Sequence, residues 1–239
     1  MRLIKILVFS LFLIVPATAG FAQDQDAYDY ESEFTWGINK NTSGGLIGGF
    51  MFKKSFKMSD RQLQTFGLEI MNVKHPQEVR YNSQYGNFFT FGKENYLYAL
   101  RLQYGRDFIL FKKAPQQGVE IKAVFAAGPS IGIEAPYYVE YEKDESIIVR
   151  EQYNEDIAKE VIYGPGRLFQ GLGDSRVVMG LNFKAALNFE LGLFKSQVTG
   201  FEAGLLVDVY AREIDMVVKA KNYSTYPTLF LAFFFGNRK

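Results

Sequence analysis

Between residues 176 and 194 the chain alternates without a break. Val177, Met179, Leu181, Phe183, Ala185, Leu187, Phe189, Leu191 and Leu193 occupy the odd positions, and Arg176, Val178, Gly180, Asn182, Lys184, Ala186, Asn188, Glu190 and Gly192 the even ones. A period of two puts these sets on opposite faces of one strand. The run is longer than most strands of water-soluble proteins. It matches a strand whose outer face meets lipid and whose inner face is polar.

Other stretches fit the same template. Residues 201–212 set Phe201, Ala203, Leu205, Val207, Val209 and Ala211 against Glu202, Gly204, Leu206, Asp208, Tyr210 and Arg212. Residues 119–141 set Glu120, Lys122, Ser130 and Gly132 against Ile121, Phe125, Ile131 and Ile133. Residues 34–38, 46–58, 63–75, 96–111 and 228–235 follow more loosely. Lys54 and Arg106 fall on the apolar face, which places them near a membrane edge, where a long cationic side chain can snorkel.

This gives eight strands, an even number, with both termini on one side. The connections at 59–62, 112–117 and 195–199 are short and polar. Those at 41–45, 76–95, 142–174 and 218–225 are mostly longer. Short turns on one side and longer loops on the other are the asymmetry of transmembrane barrels. The predicted fold is all-β: an eight-stranded antiparallel up-and-down transmembrane barrel. Aromatic residues beside the strands (Trp36, Tyr96, Tyr98, Tyr104, Phe108, Tyr137, Tyr141, Tyr226) are expected to form interfacial girdles.

A soluble ligand-binding barrel is the competing fold. It would be apolar inside and polar outside. Here the charged face also carries Gly128, Gly132, Gly180, Gly192 and Gly204, as a narrow lumen requires, while the bulky aliphatics lie opposite. The predicted interior contains Lys53, Glu69, Arg101, Asp107, Glu120, Lys122, Lys184, Glu190, Glu202, Asp208 and Arg212. Eight strands leave room for side chains to fill the interior, so these charges are expected to pair into a closed plug. An ion or proton path through them is the alternative.

Composition adds the compartment. Residues 1–22 read as a signal peptide: Arg2 and Lys5 precede an apolar run at 6–15, and small residues follow. That run is too short to span a bilayer as a helix. Residues 23–239 then form the barrel domain. The full chain carries 27 basic and 26 acidic residues; losing Arg2 and Lys5 leaves 25 against 26, a balance that gives nucleic acid no electrostatic foothold. Absence of cysteine excludes disulfides, a lipoprotein anchor and thiolate chemistry. Asp24, Asp26, Asp29 and Glu31 form an acidic leader without the spacing of a calcium loop.

The segments 36–49 (WGINKNTSGGLIGG), 75–83 (HPQEVRYNS), 113–119 (KAPQQGV), 166–173 (GRLFQGLG) and the end YPTLFLAFFFGNRK carry a resemblance. They make the chain similar to small outer-membrane β-barrel proteins of Gram-negative bacteria, and more narrowly to a Bacteroidetes group. The resemblance implies fold and location more than activity. It also brings a departure: many such barrels end on an aromatic residue, whereas residues 236–239 follow Phe235 here.

Similar small barrels include lipid A deacylases and acyltransferases, whose His and Ser act at the outer leaflet. His75, the single histidine, is thus the candidate base for a lipid-modifying enzyme, with Ser83 and Glu69 nearby. The bland reading is a loop anchor at a strand end. The glycine pairs at 44–45 and 48–49 and the runs 164–166 and 171–173 lack the partners of nucleotide or phosphate loops and read as turns. No cofactor or metal is expected. Loop 142–174 mixes charge with Ile147, Ile148, Val149, Val161, Ile162, Leu168 and Phe169. Residues 147–149 are expected to extend the fifth strand and pair with 160–163, and the apolar side chains to pack into a cap or await a partner. The sequence reading is a non-enzymatic outer-membrane barrel, structural or an accessory subunit of a secretion, uptake or barrel-assembly complex. Its expected partners are outer-membrane lipid and other outer-membrane proteins. A lipid-modifying enzyme and a small pore or adhesin stand as rivals.

Overall fold

The computed structural model describes residues 30–44, 48–113, 118–144, 147–167, 170–191, 197–218 and 220–239. The predicted signal peptide lies outside them, as do Gly192, Leu168 and Phe169. The strands in chain order are β1 (Ser32–Asn41), β2 (Gly49–Ser59), β3 (Gln62–Val73), β4 (Arg80–Asn82), β5 (Phe88–Thr90), β6 (Asn95–Phe111) and β7 (Val119–Pro136). They continue with β8 (Tyr138–Asp144), β9 (Ile147–Gln152), β10 (Ile162–Pro165), β11 (Arg176–Leu191), β12 (Gln197–Ile214) and β13 (Tyr223–Arg238).

Eight of them close into an antiparallel barrel in the order β1-β13-β12-β11-β7-β6-β3-β2. These correspond one for one to the strands expected from alternation. Closure lengthens the outer two. The seam runs from Glu33↔Arg238 to Asn41↔Phe230, and Lys239 and Ser32 exchange backbone bonds of 2.9 and 3.0 Å below it. The residues after Phe235 are therefore part of the last strand, because unpaired β1 backbone groups would otherwise be stranded at the barrel's edge.

Side-chain direction follows the pleat. On β11 and β12 even-numbered residues face in, so Asn182, Lys184, Glu190, Glu202 and Asp208 are buried. Their odd-numbered neighbours Leu181, Phe183, Leu187, Leu205 and Val209 are exposed. The same apolar face continues around the cylinder through Phe34, Trp36, Phe50, Phe66, Leu102, Phe125, Leu229 and Phe233. Small inward residues make the narrow interior possible. Any side chain at Gly132 or Gly180 would collide with the ring of Tyr210, at 2.8 Å in each case. Lys54 donates to Ser32 Oγ (3.1 Å) and Arg106 reaches Met58, so both cations on the apolar face extend toward strand ends.

Three expectations are corrected. Tyr137, Tyr141 and Tyr226 are not girdle residues: they are buried, Tyr226 because it falls on the inward parity of β13. Residues 119–141 are also not one strand. Pro136 ends β7, the Tyr137 N–H turns to the Glu94 carbonyl (2.8 Å), and β8 begins a separate sheet above the barrel. In that sheet, ordered β10-β8-β9, residues 147–149 pair with β8, not with 160–163 as expected. Segment 162–165 pairs with β8 on its other side. The hairpin β4-β5 completes this cap.

Mid-barrel outward positions should tolerate charge poorly. Leu205→Arg is expected to lower folding stability in lipid by about 2–4 kcal/mol, read by urea-dependent folding into vesicles. Ile147→Arg, at the exposed cap tip, should leave it unchanged.

Candidate functional site

The interior is a stack of ion-paired layers. At the end where β1 begins and β13 finishes, the Lys122 ammonium sits 3.2 Å from Glu120, 3.2 Å from Glu190 and 3.5 Å from Glu33. Arg238 reaches Glu33 at 3.0 Å and Glu120 at 3.5 Å and also contacts Glu190, as does Lys113. One layer up, Lys53 pairs with Asp107 (2.6 Å) and Glu202 (3.6 Å), and Lys184 bridges Glu202 (2.6 Å) and Glu69 (2.8 Å). Above that, the Arg101 guanidinium donates from Nε to both carboxylate oxygens of Asp208 (2.9 and 3.1 Å) and from Nη1 to Glu69 (3.3 Å). Ser130 Oγ donates to Asp208 as well (2.8 Å). Asn188 donates to Glu202 (3.0 Å), and Gln103 to Asn182 (3.1 Å).

Of the interior residues named from sequence, ten are buried and brought together in this stack. Arg212 is not. Its side chain is 42% exposed, and it pairs with Glu134 at the far rim, because β12 by that point has run past its last rung with β11, Gly180↔Tyr210. Sequence reasoning missed Glu33 and Arg238. Both lie on the inward parity of their strands, just beyond the boundaries at which the alternation was read. Asn182, Asn188 and Ser130, which alternation places on the polar face, join the stack as uncharged partners.

Between the charged layers lies an apolar one of Met51, Val124, Ala186, Leu206, Phe230 and Ala232; Lys184 sits 4.8 Å over the Phe230 ring. A larger apolar layer, including Val73, Leu97, Val178, Tyr210, Ile214, Met216 and Tyr226, roofs the upper end. The lumen cavity beside Lys53, Glu69 and Lys184 has about 10 Å³ of space, roughly one water.

Above the roof the cap has an apolar centre of its own: Phe89, Tyr137, Val139, Tyr141, Tyr153, Ile157 and Ile162. The loops leading into β6 and β13 fasten it to the barrel. Val218 N–H bonds the Gly92 carbonyl (2.8 Å), Glu94 N–H bonds the Met216 carbonyl (2.9 Å), and Gly92 holds a positive φ of 77° that favours glycine. Lys93 is buried against Glu78 at 2.8 Å; burial pulls its ammonium below the usual lysine range while Glu78 opposes the shift.

His75 belongs to this fastening. Its Nδ1 accepts from the Gln77 backbone N–H (3.2 Å), which leaves Nε2 as the donor to the Lys221 carbonyl (3.0 Å). The ring stacks on Tyr223 at 5.5 Å. Ser83 is engaged elsewhere, with Oγ accepting the Tyr85 and Asn87 backbone N–H groups. Glu69 is deep in the lumen on Arg101 and Lys184. Geometry therefore does not unite these three, and both ring nitrogens of His75 are committed to backbone. A nucleophile needs a base within hydrogen-bond reach.

The lumen pairs and His75 yield separate tests. Arg101→Met strands the buried Asp208 carboxylate, while Glu69 keeps Lys184, and is expected to cost about 3–5 kcal/mol. The double variant Arg101→Met/Asp208→Asn should recover a large part of that loss in the same urea titration. His75→Ala should accelerate amide exchange in segments 75–78 and 221–223 while mass spectrometry finds lipid A composition unaltered.

No protein-family model matches this chain. No curated protein sequence matches it either. Among solved structures, it is similar to Ail, the attachment invasion locus protein of Yersinia pestis, with 11% identity and a TM-score of 0.41 over 88% of this chain and 99% of that one. The same figures hold for Ail in complex with the heparin analogue sucrose octasulfate. Neisserial surface protein A is similar at 7% identity and a TM-score of 0.42, over 88% of this chain and 97% of that one.

Proposed function

We propose that this chain is a non-enzymatic outer-membrane barrel that acts as a structural or accessory subunit of an outer-membrane complex, making its contacts through the external cap. One observation carries the reading: a barrel packed solid with ion pairs bears a folded cap with its own apolar centre. A filled lumen offers no conduit, so the part of the chain that differs from a bare membrane plug is the cap. The outward apolar face supports a bilayer location, since such a surface is far larger than water-soluble monomers expose. Residues 1–22 would serve as the export signal, and outer-membrane lipid would surround the belt. Orientation follows from the connections, with the short turns and both termini in the periplasm and the cap outside.

A mild-detergent pull-down of the tagged chain from outer membranes tests this reading. A stoichiometric partner is expected with the intact chain and should vanish when residues 138–174 are replaced by a short Gly/Ser linker that leaves the barrel folded. An unchanged partner set, or recovery of the intact chain alone, would overturn it.

A further inference from the structure

The cap sheet has one finished edge and one open edge. At the β10 edge, Pro165 supplies no N–H, and the Asn87 side chain donates to the Tyr163 carbonyl (3.1 Å). Both are devices that blunt an edge. At the other edge, β9 pairs with β8, and no other described strand lies beside it. The direction of its free groups can be worked out. Tyr153 N–H bonds the Tyr137 carbonyl (2.9 Å), and bonded and non-bonded pairs alternate along an antiparallel ladder. Glu151 and Val149 therefore point their backbone groups at β8, while Ile148, Arg150 and Gln152 point theirs away. Ile147 and Ile148 are 54% and 55% exposed, and β9 contains no proline.

A cleft begins where this edge ends. Gln152, the last residue of β9, is also a wall of a 520 Å³ cleft lined further by Tyr153, Asn154, Glu155, Glu94 and Val217. Residues 138–165 carry eight carboxylates against three basic side chains, Lys143, Arg150 and Lys159. Burial, and then the carboxylates of Asp215 and Glu134, push the Glu94 pKa up, with Arg176 opposing the shift. A second copy of the chain fits the edge poorly. The register that pairs all three outward residues sets Arg150 opposite Arg150, and like charges directly opposed destabilise a ladder.

We propose that β9 is the docking edge for an extended basic segment of another protein, which adds as a fourth strand to the cap sheet and seats a lysine or arginine side chain in the cleft between Glu94 and Glu155. Main-chain bonds to Ile148, Arg150 and Gln152 give affinity, and the acidic cleft selects the sequence. This inference rests on the reading of the cap as the contact surface.

The test uses the full chain in detergent and a fluorescent peptide of roughly nine residues alternating valine and lysine, against one alternating valine and glutamate. The valine–lysine peptide is expected to bind and to slow hydrogen exchange at the amides of Ile148, Arg150 and Gln152. Arg150→Pro removes an outward donor and the cross-strand ion pair with Glu140 but no backbone hydrogen bond to β8, and should weaken binding at least about tenfold. Ile148→Pro serves as the second variant, with unchanged exchange at Val149 and Glu151 as the check that the cap stays folded. Glu94→Gln should weaken the lysine peptide severalfold. No binding, binding without added protection at those three amides, equal binding of the glutamate peptide, or dimerisation in its place would each overturn the proposal. In the pull-down, a partner lost on cap replacement but retained by Arg150→Pro would overturn the edge and leave the cap reading standing.

Discussion

The barrel follows from the requirement that backbone N–H and C=O groups be hydrogen-bonded wherever water cannot reach them. In a sheet of eight strands that condition is met only when the last strand pairs with the first. The β1–β13 seam is thus the constraint on which the rest depends. It carries the chain to Arg238, fixes which residues face in, and makes the terminal residues structural. Arg238 shows the coupling: the last rung of the seam is also a guanidinium in the lowest layer of interior ion pairs.

Closure also explains the interior. A cylinder of eight strands leaves an interior just wide enough for side chains to fill, and its inward positions are too polar to be filled with hydrocarbon alone. Charged side chains of both signs therefore fill it, and each must find a partner because an uncompensated buried charge is expensive. Arg101 illustrates the solution, with Asp208 held on one side, Glu69 on the other, and Ser130 completing the carboxylate's bonding. Glycines facing the bulky rings, such as Gly132 and Gly180 beneath Tyr210, let that packing close.

The cap is built by a different rule. Above the roof formed by residues such as Met216 and Tyr226, the strands stand in water and need an apolar centre rather than an apolar exterior. Pro136 marks the change of rule. It ends β7, and from Tyr137 onward the inward and outward preferences reverse. His75, which looks like an isolated catalytic candidate in the sequence, is one of the ties that hold the two regimes together, with both ring nitrogens on backbone groups.

The sequence alone determined the strand count, which face of each barrel strand points in, and ten of the interior charges, because a period of two is a local property that needs no knowledge of neighbours. Which charge meets which was beyond it, since Arg101 and Asp208 are 107 residues apart and only the register of intervening strands brings them together. Arg212 and Glu33 mark the same limit from opposite sides: parity assigned one wrongly and missed the other because strand ends are set by pairing, not by pattern. The cap sheet, with 147–149 on one side of β8 and 162–165 on the other, and the cleft at the end of β9 were decided by tertiary structure alone. Short segments with mixed polarity carry no period strong enough to name their partners, so packing chooses for them.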